Sequence, residues 1–367
     1  MTRLLVVLEA GDRWPSGVVR GTVYRDLFAS HGFDATFKSR QPLPMMDWAD
    51  GPHSFLVRIL LRTRLRQTLL NRAITASEKE ILKLAQKADV VYTSKILSYP
   101  LVQALCDKTN AYIVYDFGDA LWLAGNNSEE FNEVLRSVDA VTTDNEMTAK
   151  YVRMFNSHCT VIPDTPQVEQ FDKRRAELST KPDDRIVLGW IGTPGTAYNL
   201  YLIWEVLEEL FERHPQLHLR IVGAGYDQRL IPPFEKVRFS CLPTYNQAQM
   251  IEEVFKMHIG LFPLQNIEKS RVRGILKALV YMSGEASVIS SPVGQSLEVI
   301  EDGRNGLLAE SSQEWIDKIE MLIKDKALRS RLAENGLKTV RSNFSLETSF
   351  AMLKKVLLNG NRAPEQC

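Results

Sequence analysis

The sequence alternates apolar runs of strand length with helical patterns, and this alternation starts twice along the chain. The runs are apolar on both faces, which is typical of parallel strands covered by helices on both sides of a sheet. Strands are predicted near 4–8, 90–92, 111–115, 140–142 and 160–162, and again near 186–191, 217–222, 237–240, 259–262 and 287–290. The predicted fold class is therefore α/β with two parallel sheets, and two such sheets place a ligand cleft between them.

A polar segment with several prolines separates the two series. Residues 164–185 are rich in charge and read as an interdomain linker. The chain then divides into a Rossmann-like domain at 1–163, the linker, a second Rossmann-like domain at 186–345, and a C-terminal helix and tail at 346–367. The 367 residues are sufficient for two cores of this size.

Composition excludes several classes of function. Lys plus Arg and Asp plus Glu both total 45, so no net field favours nucleic acid as a partner. The four cysteines form no C-x-x-C pair and the six histidines show no ligand spacing, so no metal site is predicted. No apolar run reaches about 18 residues and the N-terminal run is too short for a signal peptide, so a cytoplasmic location is expected.

Two segments of the second half suggest a phosphate site. In the first, Gly192 and Thr193 follow a strand and open a helix, where glycine lets a phosphate approach the backbone and the helix end favours negative charge. In the second, Arg273 and Lys277 are four residues apart, so on a helix near 273–283 they share a face, with Arg271 just before its start. Three cations there would bind a diphosphate. The alternative for the first segment is a glycine needed for packing, and the alternative for the second is a solvated basic face.

A third segment is a strand followed by a turn of small residues, Pro292-Val293-Gly294. The turn predicts a close backbone approach. Together with the first two segments and the later Glu-Asp-Gly-Arg-Asn-Gly and Glu-Trp elements, it resembles the second domain of family 4 glycosyltransferases, which have the GT-B fold. The similarity is strongest to a bacterial surface-glycan subgroup with I-G-W-I-G-[ST]-P-x-T and R-G-K-x-x-x-K-x-L-x-Y-M stretches.

The resemblance extends into the first half of the chain. The stretch from Tyr115 to Trp122 is similar to the subgroup's Y-D-x-D-D-A-x-W loop, and Thr143-Asp144-Asn145-Glu146 is similar to its G-N-E turn. The match covers about residues 1–345. It implies retaining transfer of a sugar from a nucleotide-diphosphate sugar to a hydroxyl of a glycan or lipid-linked acceptor, with no cofactor and no bound metal.

The same resemblance assigns site residues. It implies that the first domain holds the acceptor and the second the nucleotide sugar, with Gly192, Thr193, Arg271, Arg273 and Lys277 at the donor diphosphate. The remaining donor-site residues are expected at Leu242, Pro243, Val280, Pro292, Val293 and Gly294. Gly17, in the loop after the first strand, is assigned to the acceptor side.

The catalytic residues are predicted in the first domain. Asp116 and Asp119 follow a strand, where a carboxylate can orient the acceptor hydroxyl or accept its proton. Capping of the next helix is the alternative.

Three departures from the family pattern leave a second function open. Many relatives carry two glutamates where this chain has Val272 and Val280, one acid of the D-x-D-D loop is Gly118, and the Gly-x-Pro turn before the next strand is altered. The alternative to an active transferase is a catalytically silent GT-B protein that binds nucleotide sugar or glycan. A sugar-nucleotide epimerase is a third hypothesis.

One basic segment suggests a membrane contact. Residues 54–72 contain five arginines and no acid beside a stripe of large apolar residues. Such a helix can lie on an anionic membrane, here through Arg58, Arg62, Arg64 and Arg66, and would bring the enzyme to the inner face of the membrane. Packing of the same stripe on the first domain is the alternative.

Overall fold

The computed structural model describes residues 1–11, 15–41, 64–123, 128–178, 181 and 184–359. The chain divides into two compact units. The first is Met1–Ile162 together with the chain from Phe350 onward, and the second is Pro163–Ser349. Each is built on a six-stranded sheet with parallel strand pairs, so the predicted pair of Rossmann-like α/β domains is confirmed.

The sheet of the first unit has the strand order β2-β1-β3-β4-β5-β6. Its strands are β1 (Thr2–Leu8), β2 (Phe33–Ser39), β3 (Val90–Ser94), β4 (Tyr112–Asp116), β5 (Ala140–Thr143) and β6 (Cys159–Val161). The α-helices are Pro15–Arg20, Arg25–Ser30, Arg64–Ala85, Tyr99–Lys108, Ser128–Ser137 and Glu146–Val152, with short 3₁₀ turns at Thr22–Tyr24 and Leu121–Leu123.

The sheet of the second unit has the order β12-β11-β10-β7-β8-β9. Its strands are β7 (Ile186–Ile191), β8 (Leu217–Val222), β9 (Phe239–Leu242), β10 (Ile259–Phe262), β11 (Ser287–Ser290) and β12 (Leu307–Leu308). The helices are Val168–Leu178, Trp204–Arg213, Gln247–Phe255, Glu268–Arg271, Leu276–Ser283, Ser296–Val299, Ser312–Lys324 and Lys326–Asn343, with 3₁₀ helices at Pro194–Ile203 and Gln228–Leu230.

Helices cover both faces of the second sheet, as the apolar runs predict. Along β7, Val187 and Ile191 pack into one buried cluster, whereas Leu188 and Trp190 pack into the other. Alternate side chains of one strand therefore anchor two separate cores, and this explains why the run shows no polar face.

The segment predicted as a linker, residues 164–185, contains the helix Val168–Leu178, and this corrects the linker prediction. Val168 and Phe171 are fully buried in a core of the second unit, and Phe171 packs on Phe255 with 5.9 Å between ring centroids. The charges that make the segment look like a linker lie on the outer side of this helix, where Asp172 pairs with Arg341.

The last helix, Leu346–Asn359, is predicted correctly as a helix but is not a separate segment. From Phe350 onward it belongs to the first unit. The Phe350 ring packs 5.5 Å from Phe28 and 5.9 Å from Tyr24, which are both fully buried.

Two strands were not predicted, β2 and β12, and both lie at a sheet edge. In β2, buried Phe33 alternates with exposed Asp34, and β12 has two residues. Neither makes an apolar run. Within the described part of the chain, no helix is long and apolar enough to cross a membrane.

Candidate functional site

The second sheet opens at one place, between β7 and β10. These two strands pair at Leu188–Ile259 and Gly189–Gly260 but not further along β7. Beyond that point the Tyr281 hydroxyl bridges the two strands. It accepts a hydrogen bond from Ile191 N–H at 2.7 Å and donates one to the Leu261 carbonyl at 3.3 Å. The strand order reverses here, and open parallel sheets bind ligands at the carboxyl ends of the strands beside such a reversal.

Gly192 follows β7 at this opening and has no room for a side chain. A Cβ there would lie 2.5 Å from the Trp190 ring, 2.6 Å from Lys277 Nζ and 2.7 Å from Thr196 Oγ1. Lys277 Nζ donates to Thr196 Oγ1 at 2.8 Å and lies 4.8 Å from the centre of the Trp190 ring. The predicted glycine turn and the predicted lysine are therefore brought together.

The charge of this cluster is not neutralised. Burial, with Arg273 nearby, lowers the pKa of the Lys277 ammonium well below its ordinary value. Among the described residues, the Arg273 side chain has neither a hydrogen bond nor an ion pair, and Arg271 Nε donates to Asn266 Oδ1 at 2.8 Å. Two cations held close together without a carboxylate favour an anion as the missing partner.

The helical arrangement predicted for these cations is wrong in detail. The helix begins at Leu276, so Arg273 precedes it, and Arg271 ends a separate short helix, Glu268–Arg271. Arg273 and Lys277 consequently do not share a helix face. Their proximity comes from the non-helical connection between the two helices.

The backbone of the glycine turn is less available than the sequence suggests. Gly192 N–H donates to the Val222 carbonyl at 2.9 Å, and Thr193 N–H donates to Thr196 Oγ1 at 3.1 Å. Thr193 is exposed and caps the 3₁₀ helix that starts at Pro194. These two amides are therefore already engaged and are not free to bind an anion at this turn.

The Pro292-Val293-Gly294 turn packs against the segment that carries the arginines. Gly294 has φ +59°, and a Cβ there would lie 2.7 Å from the Arg271 carbonyl oxygen. The Ile275 N–H donates to Gln295 Oε1 at 2.9 Å. The turn thus fixes the backbone between Arg271 and Ile275, and the predicted close approach is to protein backbone.

The other predicted donor residues are placed less favourably. Val280 is 5% exposed and belongs to a core cluster, as does Val293, so neither presents a group for hydrogen bonding. The carbonyls of Leu242 and Pro243 accept hydrogen bonds from Gly223 and Gly225 N–H, at 2.7 and 2.9 Å. Those contacts tie the end of β9 to the loop after β8.

Asp116, predicted as catalytic, is fully buried in an ion pair. Arg20 donates to both of its oxygens, at 2.5 and 3.1 Å. Thr142 Oγ1 donates to Oδ1 at 2.6 Å and Ser94 Oγ to Oδ2 at 3.2 Å. Both oxygens are engaged, so the side chain fixes the ends of β3, β4 and β5.

Asp119, the second predicted catalytic residue, is half exposed and forms an ion pair with Lys95. Lys95 adopts φ +53° just after β3. Gly17 lies within the helix Pro15–Arg20 rather than in a loop, and a Cβ on it would overlap the Gly11 carbonyl oxygen. The need for glycine at 17 is therefore steric.

The predicted membrane arginines are only partly described. Arg58 and Arg62 lie outside the described residues, while Arg64 and Arg66 belong to the first turn of the helix Arg64–Ala85. In the regions that the structure describes, no group of three or more His, Cys, Asp or Glu side chains is placed to hold a metal ion.

Three contributors to the site had no predicted role, namely Trp190, Thr196 and Tyr281. Trp190 and Thr196 lie within the glycine motif, but their partner Lys277 is 81 residues from Thr196. Tyr281 stands in the Tyr-Met pair of the second motif, and its hydroxyl contact is visible only when β7 and β10 are seen together.

Comparisons with known proteins give a family match for one segment and a likeness of fold for the chain. The family described as "Glycosyl transferases group 1" matches residues 185–325. No curated protein sequence matches the chain. Among solved structures, sucrose-phosphate synthase from Thermosynechococcus elongatus is similar with a TM-score of 0.69 and 14% identity, over 98% of this chain and 99% of the other.

Two further structures have the same extent of similarity. A glycosyltransferase from Rickettsia africae superposes with a TM-score of 0.68 at 15% identity, covering 98% of this chain and 99% of that one. HepE from Anabaena in complex with UDP-glucose superposes with a TM-score of 0.66 at 13% identity, with the same coverage. The chain therefore has the GT-B fold, and its second unit carries the segment that matches the glycosyl transferase group 1 family.

Proposed function

We propose that this chain is a glycosyltransferase that moves a sugar from a nucleotide-diphosphate sugar to a hydroxyl of a glycan or lipid-linked acceptor, with retention of the anomeric configuration. The observation that carries the proposal is the cluster of Lys277 and Arg273 beside Gly192. It lies at the opening between β7 and β10, within the part of the chain that matches the glycosyl transferase family.

The chemistry of such a transfer requires this kind of charge. Departure of a nucleoside diphosphate builds negative charge in the transition state, and cations already in place stabilise it without reorganisation. Lys277 is held by Thr196, and Arg273 retains its full donor capacity. We propose that these two residues, with Arg271, take the place of a metal ion, so that EDTA leaves the transfer rate unchanged.

The donor is the first point to test. HepE is solved with UDP and with UDP-glucose, so UDP-sugars head a thermal-shift screen that also contains GDP, ADP, CMP, dTDP and their sugars. A ligand at about 100 times its dissociation constant adds roughly 2.7 kcal/mol of stability. We expect one nucleotide to stabilise the parent but not Arg273→Ala/Lys277→Ala.

The matched control is Arg331→Ala/Lys338→Ala, which removes two exposed cations from the helix Lys326–Asn343. This variant should keep the full ligand-induced shift. If it loses the shift as well, or if the site variant keeps it, the cluster at Lys277 is not the diphosphate site. Product analysis by NMR then gives the anomeric configuration, and inversion would contradict the retaining mechanism.

A silent nucleotide-sugar binder is the second candidate, and one observation favours it. Val280 is packed in the core at the position where many relatives carry a glutamate. That position supplies no acceptor for a donor hydroxyl. Binding of a nucleotide sugar without hydrolysis or transfer to any glycan acceptor would support this candidate.

We further propose that the chain works at the inner face of the membrane, in contact with anionic lipid through the basic segment 54–72. Co-sedimentation with phosphatidylserine vesicles tests this. Replacing Arg58, Arg62, Arg64 and Arg66 with Gln should abolish sedimentation. Unchanged binding of that variant would contradict the contact.

A further inference from the structure

Gly118 and Asp144 are in direct contact at the carboxyl edge of the first sheet. Gly118 follows β4 and Asp144 follows the neighbouring strand β5. A Cβ on Gly118 would lie 3.1 Å from both the carboxyl carbon and Oδ2 of Asp144. The Asp144 carboxylate therefore occupies the space into which a side chain at 118 would point.

The two positions differ from the family pattern in opposite directions. The Y-D-x-D-D-A-x-W loop has Asp where this chain has Gly118, and the G-N-E turn has Gly where this chain has Asp144. A carboxylate on residue 118 would lie against that of Asp144, and two carboxylates in contact repel each other. The two departures together leave one carboxylate beside position 118, and it belongs to Asp144 after the neighbouring strand β5.

The Asp144 carboxylate is held in a defined orientation. Asn145 Nδ2 donates to its Oδ1 at 2.6 Å, while Asn145 Oδ1 caps the helix Glu146–Val152 by accepting from Thr148 N–H at 2.9 Å. Asp119 and Lys95 follow the adjacent strands β4 and β3 at the same edge. Ligands of parallel sheets bind at such edges.

We propose that Asp144 supplies the carboxylate that the D-x-D-D loop carries at position 118, and that this carboxylate binds and orients the acceptor hydroxyl. The proposal rests on the proposed transferase function. It also explains how the loop tolerates Gly118 and why Asp116, which is engaged with Arg20, is not required for this role.

The test is an exchange of the two residues. We expect Asp144→Gly and Asp144→Asn each to lower kcat/KM for the acceptor about 10²-fold through loss of orientation, with an unchanged donor dissociation constant. Gly118→Asp alone should lower the melting temperature because it places a second carboxylate against Asp144. The double variant Gly118→Asp/Asp144→Gly should recover activity to within about tenfold of the parent and recover the melting temperature.

Asp34→Asn, on the exposed side of β2, is the control for loss of a carboxylate and should behave as the parent. Full activity of Asp144→Asn overturns the proposal, as does a folded double variant no more active than Asp144→Gly. A parent that transfers no sugar from any donor it binds contradicts the transferase function itself. An active parent with an active Asp144→Asn contradicts only the role of Asp144.

Discussion

The two sheets differ at the place where each reverses its strand order. In the first unit, β1 pairs with β3 continuously from Leu4–Val90 to Leu8–Ser94. In the second, β7 and β10 separate after Gly189–Gly260, and the Tyr281 hydroxyl bridges the gap. We call the first arrangement, with the two strands paired to their ends, the closed edge, and the second, with the strands separated, the open edge. The closed edge gives a rigid support, whereas the open edge gives room for a ligand.

The charged side chains near these two places also differ, since they are paired in the first unit and lack a counter-charge in the second. In the first unit, buried Asp116 pairs with Arg20, and buried Glu9 accepts hydrogen bonds from Arg40 at 2.5 Å and Gln41 at 2.9 Å. In the second, Lys277 contacts the Thr196 hydroxyl and the Trp190 ring, and no carboxylate pairs with Lys277 or Arg273 among the described residues. Removing one partner of a buried charge pair destabilises a fold, whereas cations without counter-charge prepare a site for an anion.

The largest effect is expected when the paired edge is broken. Asp116→Asn leaves the buried Arg20 without its counter-charge and should lower the free energy of unfolding by about 3–5 kcal/mol. Urea unfolding followed by circular dichroism measures this. The control is Asp89→Asn, whose partner Arg3 is exposed, with an expected loss of at most about 1 kcal/mol. If the Asp116→Asn protein is stable but transfers no sugar, Asp116 has a catalytic role.

The open edge is sensitive to volume. Gly192→Ala places a methyl group against Trp190, Lys277 and Thr196, which should cost about 1–3 kcal/mol of stability and weaken donor binding about tenfold or more. Calorimetric titration and thermal melting check both effects. Gly195→Ala, three residues on, has open space within 4 Å of its Cβ and should be neutral or slightly stabilising. Equal effects at the two positions would mean that the space at Gly192 is not specific.

The Tyr281 hydroxyl that bridges β7 and β10 can be removed by deleting one oxygen atom. Tyr281→Phe deprives Ile191 N–H of its acceptor in a buried place, at an expected cost of about 1–3 kcal/mol in the free energy of unfolding. Tyr112→Phe serves as the comparison because its hydroxyl has no hydrogen-bond partner among the described residues. If Tyr281→Phe is as stable as Tyr112→Phe, the two strands close without the hydroxyl.

The smallest effect concerns pH. Since the pKa of Lys277 is lowered, its ammonium loses the proton at a pH below that of an ordinary lysine. A neutral amine does not attract a diphosphate, so donor affinity should fall as the pH rises through this lowered pKa. Titrations over the pH range below about 10.4, the ordinary pKa of a lysine, should show the parent approaching the affinity of Lys277→Met, which itself stays flat. A flat parent profile would contradict a titrating Lys277.

Sequence reasoning succeeds where a pattern is local. Central strands such as Ile186–Ile191 are apolar on both faces and are predictable, whereas the edge strand Phe33–Ser39 is half exposed and is not. Short motifs predict that Gly192 and Lys277 belong to one site, and the structure brings the two residues together. The ion pair of Asp116 with Arg20 joins residues 96 apart, so no local pattern in the sequence reveals it.

The ends of the second unit lie side by side, because the Ser349 hydroxyl donates to the Pro163 carbonyl at 3.0 Å. The whole of Pro163–Ser349 therefore enters the chain as an insertion whose entry and exit coincide. This makes it a transferable module. We expect that it can be excised for separate expression, permuted by joining its own ends, or exchanged for the corresponding unit of a relative at two junctions.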